Sequence, residues 1–306
     1  MADEVLVIGA ANLDIKGRLF ASLVTGSSNS CAIKTSFGGV ARNIAENLAR
    51  LGTPVVLLTA VGNDFAGHTI LDGAGNVGID VSRALIIENE PTGTYLAALD
   101  QDGDLILGLD DLRVMRHLTP DYLRFHQDAF RHCQMVALDM NLTPEAVRAA
   151  IHLAREYGKP ICVDPTSAQR ALTLRPYLHL IDLITPNIAE AEALLGSEPI
   201  GDSDEALQAA RRLVGLGVER VVITQAERGA CYATVDESGQ FAALKCAIVD
   251  RTGAGDALSA LVIFGMREGF GMAESLQLGL RAAALTLQSP ETVAPELSLD
   301  RLYGME

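Results

Sequence analysis

The sequence holds no closely spaced cysteines. Cys31, Cys133, Cys162, Cys231 and Cys246 stand singly, with no C-x-x-C pair and no local histidine partner. That spacing offers neither a disulfide framework nor a zinc site, and it points to reduced thiols in a cytoplasmic chain. Positive charge is also scarce. Lys and Arg number 24 against 39 Asp and Glu, a net charge of −15, so nothing neutralises a nucleic-acid backbone or an anionic membrane. No apolar run reaches the length of a membrane span, and residues 1–4 lead straight into a strand-like run, which reads as a soluble, unexported protein. Internal repeats, low-complexity tracts and linkers are missing too. Two nucleotide motifs are absent. Gly9-Ala-Ala-Asn12 is not G-x-G-x-x-G, and no G-x-x-x-x-G-K-[ST] occurs, which disfavours Rossmann hydride transfer and P-loop chemistry.

What is present suits one large α/β core of 306 residues with a small appended element. β-branched runs recur at 5–9, 55–61, 135–138, 161–163, 180–184 and 221–224, with helical patterns between the later ones. Thr143 with Pro144 opens one helix, closed by Gly158, and Asp202-Ser-Asp-Glu205 opens another. Strand and helix alternating in this way predict a parallel sheet covered on both faces. Segments 13–36 and 93–109 break the pattern. In the second, 94–98 and 105–109 flank the turn Asp100-Gln-Asp-Gly103 and read as a hairpin. Ligands of open α/β sheets bind beyond the carboxyl ends of the strands, so a strand-built flap there can close over a substrate; an ordinary edge hairpin accounts for the same pattern.

The sharpest chemical signal is Thr252-Gly253-Ala254-Gly255-Asp256, which follows a strand and opens a helix. Small residues let backbone N–H groups converge on an anion where the helix dipole adds positive potential. Asp256, in the first helical turn, can accept a proton from a hydroxyl attacking phosphorus. A tight turn with Asp256 as a helix-capping acid fits the same residues. Gly38-Gly39-Val-Ala-Arg-Asn43 precedes a second helix, and Asn43 offers a donor and an acceptor to neighbouring sugar hydroxyls; a plain loop is the alternative. Asn12 and Asp14 sit at alternate positions beyond the first strand, and both can face a crevice, where a carboxylate suits a sugar diol. Asp14 as a turn starter is equally compatible. Asn187 and Glu190 share a helix face after Thr185-Pro186. They can hold a hydrated magnesium ion on nucleotide phosphates, or form a helix cap.

Taken together these motifs resemble the PfkB, or ribokinase-like, carbohydrate kinases over essentially the whole chain, 1–306 as a single domain. Gly38-Gly39…Asn43 is similar to the first signature of that family and Asp250-x-Thr252-Gly-Ala-Gly-Asp256 to its second. Asn12-x-Asp14, Asn187-x-x-Glu190 and Thr224…Gly229 stand in the family's order. Residues 9–16, Ser27-Ser-Asn29, 38–47 and Val163-Asp-Pro-Thr-Ser167 resemble the family's pseudouridine-phosphorylating subgroup more than its sugar kinases.

The resemblance implies a three-layer α/β/α sandwich with a mostly parallel central sheet and a small β lid formed by 13–36 and 93–109. It implies ATP-dependent phosphorylation of the 5′-hydroxyl of pseudouridine, with other sugar or nucleoside kinases of the family, or a catalytically silent binding homologue, as alternatives. Asp256 is then the base and the backbone of Gly253, Ala254 and Gly255 the anion hole. Asn12, Asp14, Gly38, Gly39, Asn43 and Asn141 hold the sugar. Lys16, Ser28, Asn29 and Thr94 lie in the lid region within reach of a base. Asn187, Thr224 and Gly229 line the ATP site, Glu190 orders Mg²⁺ through water, and Asp250 with Thr252 falls where family members hold K⁺. Lids of the family often pair between subunits, so a homodimer through the lid is expected. Two departures stand out: Ala41 replaces a glycine of many sugar kinases, which sets the main chain there slightly further from the substrate, and Arg251, at a position often neutral, either faces solvent or reaches an ATP phosphate.

Overall fold

The structure, a computed structural model, describes residues 4–305. Its centre is a nine-stranded sheet. From one edge the order runs Ser238–Phe241, Ala230–Thr234, Arg220–Thr224, Leu183–Ile184, Ile161–Asp164, Met135–Asp139, Val5–Ile8, Val55–Leu58 and Ile79–Asp80. The seven strands from Arg220–Thr224 onward are mutually parallel, and the edge hairpin 230–241 adds two antiparallel pairings, with Ala230–Thr234 alone running against the rest.

The two-residue period of the strands builds the layers. In Val5–Ile8 every residue is buried, Leu6 and Ile8 in one hydrophobic cluster, Val5 and Val7 in another. The same split divides Val56 and Leu58 from Val55 and Leu57. A strand apolar on both faces needs a helical layer on each. One layer includes Pro144–Glu156 and Ser203–Gly215; the other includes Val40–Arg50, Ala254–Glu268 and Met272–Leu287. The caps read from sequence are in place: Thr143 Oγ1 accepts from Ala146 N at 3.2 Å with Pro144 at the first position, and Asp202 accepts from Glu205 N at 2.9 Å.

Two strand boundaries and one hairpin differ from the sequence expectation. The run 55–61 divides at Thr59; Ala60–Gly62 leaves the main sheet and pairs with Leu85–Ile87. In 180–184 only Leu183–Ile184 is strand, because Leu172–Leu180 winds as 3₁₀ helix up to that point. The hairpin Ala230–Thr234 and Ser238–Phe241 went unread, since its small residues carry little β signal.

Residues 12–38 and 94–111 form a separate four-stranded sheet in the order Cys31–Gly38, Asn12–Leu19, Thr94–Leu99, Leu105–Asp111. Its middle pair is parallel and its outer pairs antiparallel. Asn12–Leu19 begins four residues after Val5–Ile8 ends, at the carboxyl edge of the main sheet. Along it Asn12, Asp14 and Lys16 are buried, while Leu105, Leu107 and Leu109 of the edge strand are exposed.

Candidate active site

The carboxyl ends of the parallel strands converge on one acidic cleft. Asp139 ends the strand Met135–Asp139 and Asp164 ends Ile161–Asp164, while Asp256 sits in the first turn of Ala254–Glu268. Asp139 is fully buried and ties three elements together. Its Oδ2 accepts from Ala10 N at 2.8 Å and Ala41 N at 3.0 Å, and its Oδ1 from Asn141 N at 2.8 Å. The N–H of Ala41 is therefore engaged with Asp139.

Asp256 lies within the influence of four other groups. Burial and then the neighbouring Asp164 push its carboxyl up to about 8, with Asp139 and Asp14 adding to the rise and Asn43 opposing it. Asn43 Nδ2 donates to Asp256 Oδ2 at 2.6 Å. A carboxylate with a pKa near neutrality is suited to taking up a proton. In front of it Gly253 adopts φ 85°, a left-handed conformation, and a side chain there would collide with the carbonyl of Thr292. The N–H groups of Ala254, Gly255 and Asp256, in the first turn, have no carbonyl four residues back in the helix and remain available to an anion.

The lid strand supplies the second wall. Asn12 Nδ2 donates to Asp14 Oδ1 at 2.6 Å, and burial raises the Asp14 carboxyl to about 6 against the lowering influence of Lys16. The paired glycines have distinct reasons. A Cβ on Gly38 would strike the Asp14 carboxylate, and one on Gly39, at φ 97°, would strike the backbone of Ala10 and Ala11. Ser36 pairs with Asp14 across the two strands, so the two side chains share a face, and its buried hydroxyl has no hydrogen-bond partner. Sequence reading missed Ser36; the only available signal was its place two residues before the Gly-Gly turn. Asp164 was read only as part of a resemblance, although a carboxylate closing a central strand ahead of proline invites attention. Burial raises it to about 6, and Ser259 Oγ donates to it at 3.1 Å.

The structure brings Asn187, Thr224, Gly229, Ala254 and Gly255 together around one cavity of about 950 Å³, with walls from Leu258, Leu280 and Leu287. A backbone bridge joins Asn187 to Thr224. An apolar slot ending at a glycine turn fits an adenine with its phosphates. Arg251 lines the same cavity, is largely exposed, and lies 3.5 Å from Asp104 in the lid turn. The residues of the helix Met272–Leu287 on this wall had no sequence signal beyond ordinary amphipathicity.

Glu190 is buried in a capping box: its carboxylate accepts from Asn187 N at 2.9 Å and Asn187 Nδ2 at 2.8 Å, and Glu190 N donates to Asn187 Oδ1. Burial, then Asp164, raises it to about 7. Both oxygens meet only neutral amide donors, so when ionised this carboxylate has no cationic partner of its own and suits hydrated Mg²⁺. The Asp250 carboxylate is different, since its partners are charged: both its oxygens accept from Lys16 Nζ, at 2.9 and 2.8 Å, and Lys34 Nζ stands 3.6 Å away. It offers a poor fit to K⁺. The structure pairs the ammonium of Lys16, expected within reach of a base, with this carboxylate.

Of the remaining expected contacts, Asn141 faces a cavity of about 630 Å³ that it shares with Asp110, Arg113 and Arg170. Thr94 Oγ1 donates to Thr92 O at 3.2 Å. Asn29 bonds Val24 N, Val24 O and Ser27 O within its own loop, and Ser28 is exposed there, so neither is brought to the cleft.

Residues 2–298 match the pfkB family carbohydrate kinase model. The chain is a member of the PfkB carbohydrate kinase family. A pseudouridine kinase of Escherichia coli is 35% identical across 99% of this chain and 96% of its own. A guanosine-inosine kinase of Exiguobacterium acetylicum is 31% identical across 98% of this chain and 99% of its own. Among solved structures, a carbohydrate kinase from Agrobacterium tumefaciens superposes with TM-score 0.83 at 28% identity, covering 99% of this chain and 96% of that one. Arabidopsis thaliana ribokinase complexed with ribose and ATP shares the fold at TM-score 0.86 and 24% identity over the full length of both. The fold is ribokinase-like, and the PfkB member described here is a phosphotransferase acting on a hydroxyl group. Among the described residues no helix is long and apolar enough to cross a membrane.

Proposed function

We propose that this PfkB kinase transfers the γ-phosphoryl group of ATP to the 5′-hydroxyl of pseudouridine. The observation that carries the reading is the Asn43–Asp256 contact, which aims a proton-accepting carboxylate across the mouth of the glycine turn. Asn12, Asp14 and Asn43 hold the ribose hydroxyls, and Asp256 takes the proton as the 5′-oxygen attacks in line. The N–H groups along Gly253, Ala254 and Gly255 stabilise the phosphoryl oxygens. Glu190 would hold hydrated magnesium, which would supply charge neutralisation on the phosphates. Potassium has no part in this reading, because Asp250 already holds two ammonium groups.

The choice of acceptor draws support from the 35% identical relative and from the resemblance of residues 9–16 and 38–47 to its subgroup. The lid sheet 12–38 and 94–111 closes over the nucleoside. The exposed Leu105, Leu107 and Leu109 on its edge strand support pairing of two lids in a homodimer. Single, unpaired cysteines agree with a cytoplasmic setting.

The test is ATP consumption by the purified protein with Mg²⁺, comparing pseudouridine with uridine, guanosine, adenosine, ribose and fructose. Preference for pseudouridine supports the proposal; preference for another nucleoside or sugar keeps the phosphotransfer and rejects the acceptor.

A further inference from the structure

Lys16 lies on the buried face of the lid strand Asn12–Leu19, only 6% exposed. Its ammonium donates to both oxygens of Asp250 at 2.9 and 2.8 Å. Lys34, its partner in the strand register, adds a second ammonium 3.6 Å from the same carboxylate. From the other side Thr252 N donates to Asp250 Oδ1 at 2.9 Å, so the carboxylate grips the first residue of the glycine turn. Burial works to raise Asp250, yet the Lys16 ammonium and the Thr252 N–H outweigh it and hold the carboxyl below its ordinary range.

A potassium ion seated on this carboxylate would meet the Lys16 ammonium at ion-pair distance, where two like charges repel strongly in a partly buried setting. Displacing Lys16 instead would strand a buried, unpaired ammonium. An ammonium and a potassium ion carry the same charge and are of comparable size, so one can do the other's electrostatic work. We propose that the Lys16 side chain is a built-in monovalent cation: it neutralises Asp250 and braces the segment leading into the glycine turn, so that phosphoryl transfer here requires no potassium. The inference rests on the reading of Gly253–Gly255 as the phosphate site. It also gives the lid strand a second task, since the brace reaches the turn only from the lid.

The experiment compares the parent protein with Lys16→Met and Lys16→Arg, with tetramethylammonium as the sole monovalent cation or with potassium added. Turnover and melting temperature are both read. The parent and Lys16→Arg are expected to show no activation by potassium and no shift in melting. Lys16→Met is expected to lose about tenfold in kcat without potassium and to regain most of it, with a raised melting temperature, when potassium is added, a coupling of ordinary allosteric size. Potassium activation or potassium-dependent melting of the parent overturns the proposal. So does a Lys16→Met protein that turns over at the parental rate without responding to potassium. Should Lys16→Met fail to fold, the response of the parent decides. Melting needs no acceptor, so a wrong acceptor and a wrong cation assignment give distinguishable results.

Discussion

Asn43 and Asp256 stand 213 residues apart in the chain, yet the amide of one donates to the carboxylate of the other across 2.6 Å. The contact joins the N-terminal turns of two helices, Val40–Arg50 and Ala254–Glu268, and fixes one oxygen of Asp256. The other oxygen remains for an incoming hydroxyl. Each helix start is also a glycine turn, so substrate-binding backbone and proton acceptor share one frame.

Replacing Asp256 by Asn keeps an acceptor for Asn43 and removes the base. The kcat should fall by about a thousandfold, within the usual range for loss of a general base, with little change in KM for either substrate. The same change should raise the melting temperature at neutral pH, because it removes a charge that burial and Asp164 disfavour. Steady-state kinetics and a thermal melt on one preparation check both.

Activity and stability should respond to pH in opposite senses. Asp256 must be ionised to accept a proton, so kcat/KM of the free enzyme rises with pH and levels above about 8. The folded carboxyl is raised above its unfolded value of 3.8, so the fold binds more protons than the unfolded chain between those limits. Its contribution to stability is present below the lower limit and is lost as pH climbs toward the upper one. Glu190, raised to about 7, acts in the same direction. Asp164→Asn removes the leading charged neighbour and should move the activity limb to lower pH, measured as a pH–rate profile beside that of the parent.

Gly38→Ala introduces a methyl against the Asp14 carboxylate. The carboxylate must swing from its bond with Asn12, so KM for the acceptor should rise by about tenfold, the cost of one misplaced polar contact, while KM for ATP stays within about twofold. Equal effects on both constants would argue that the turn itself had collapsed.

Asp139→Asn leaves three backbone N–H groups facing an amide that cannot accept from all of them. A loss of about 2 kcal/mol in unfolding free energy is expected for a disrupted buried network. Urea denaturation measures it, and an unchanged midpoint would mean that the three elements are held together by packing alone.

The sequence made the parallel core readable because buried strands such as Val5–Ile8 are apolar at every position and their connecting helices carry caps, Thr143 and Asp202 among them. It hid Ala230–Thr234, whose small residues lack a β signature, and the break at Thr59, which depends on a pairing with Leu85–Ile87. Around the site, motifs anchored to a turn or strand end were legible: Asn12, Asp14, Gly38, Gly39, Asn43, and the segment Gly253 to Asp256. Ser36 and the wall of Met272–Leu287 were not, since their relevance arises only when distant strands and helices meet. Lys16 shows the limit most clearly. Its place in the lid region put it within reach of a nucleoside base, whereas a carboxylate 234 residues away takes its charge.

That separation bears on how the protein is made. Residues 12–43 leave the ribosome early and residues 250–256 late, after every strand of the main sheet has been synthesised. The strands of the main sheet are therefore all synthesised while Lys16 and Asn43 still lack their partners, and before the helices Ala254–Glu268 and Met272–Leu287 that cover one of its faces. Until the glycine turn emerges, Lys16 lacks the Asp250 counter-charge and Asn43 the Asp256 carboxylate. A chain stalled before Asp250 would hold every strand of the sheet but neither the glycine turn nor the helices that cover one sheet face.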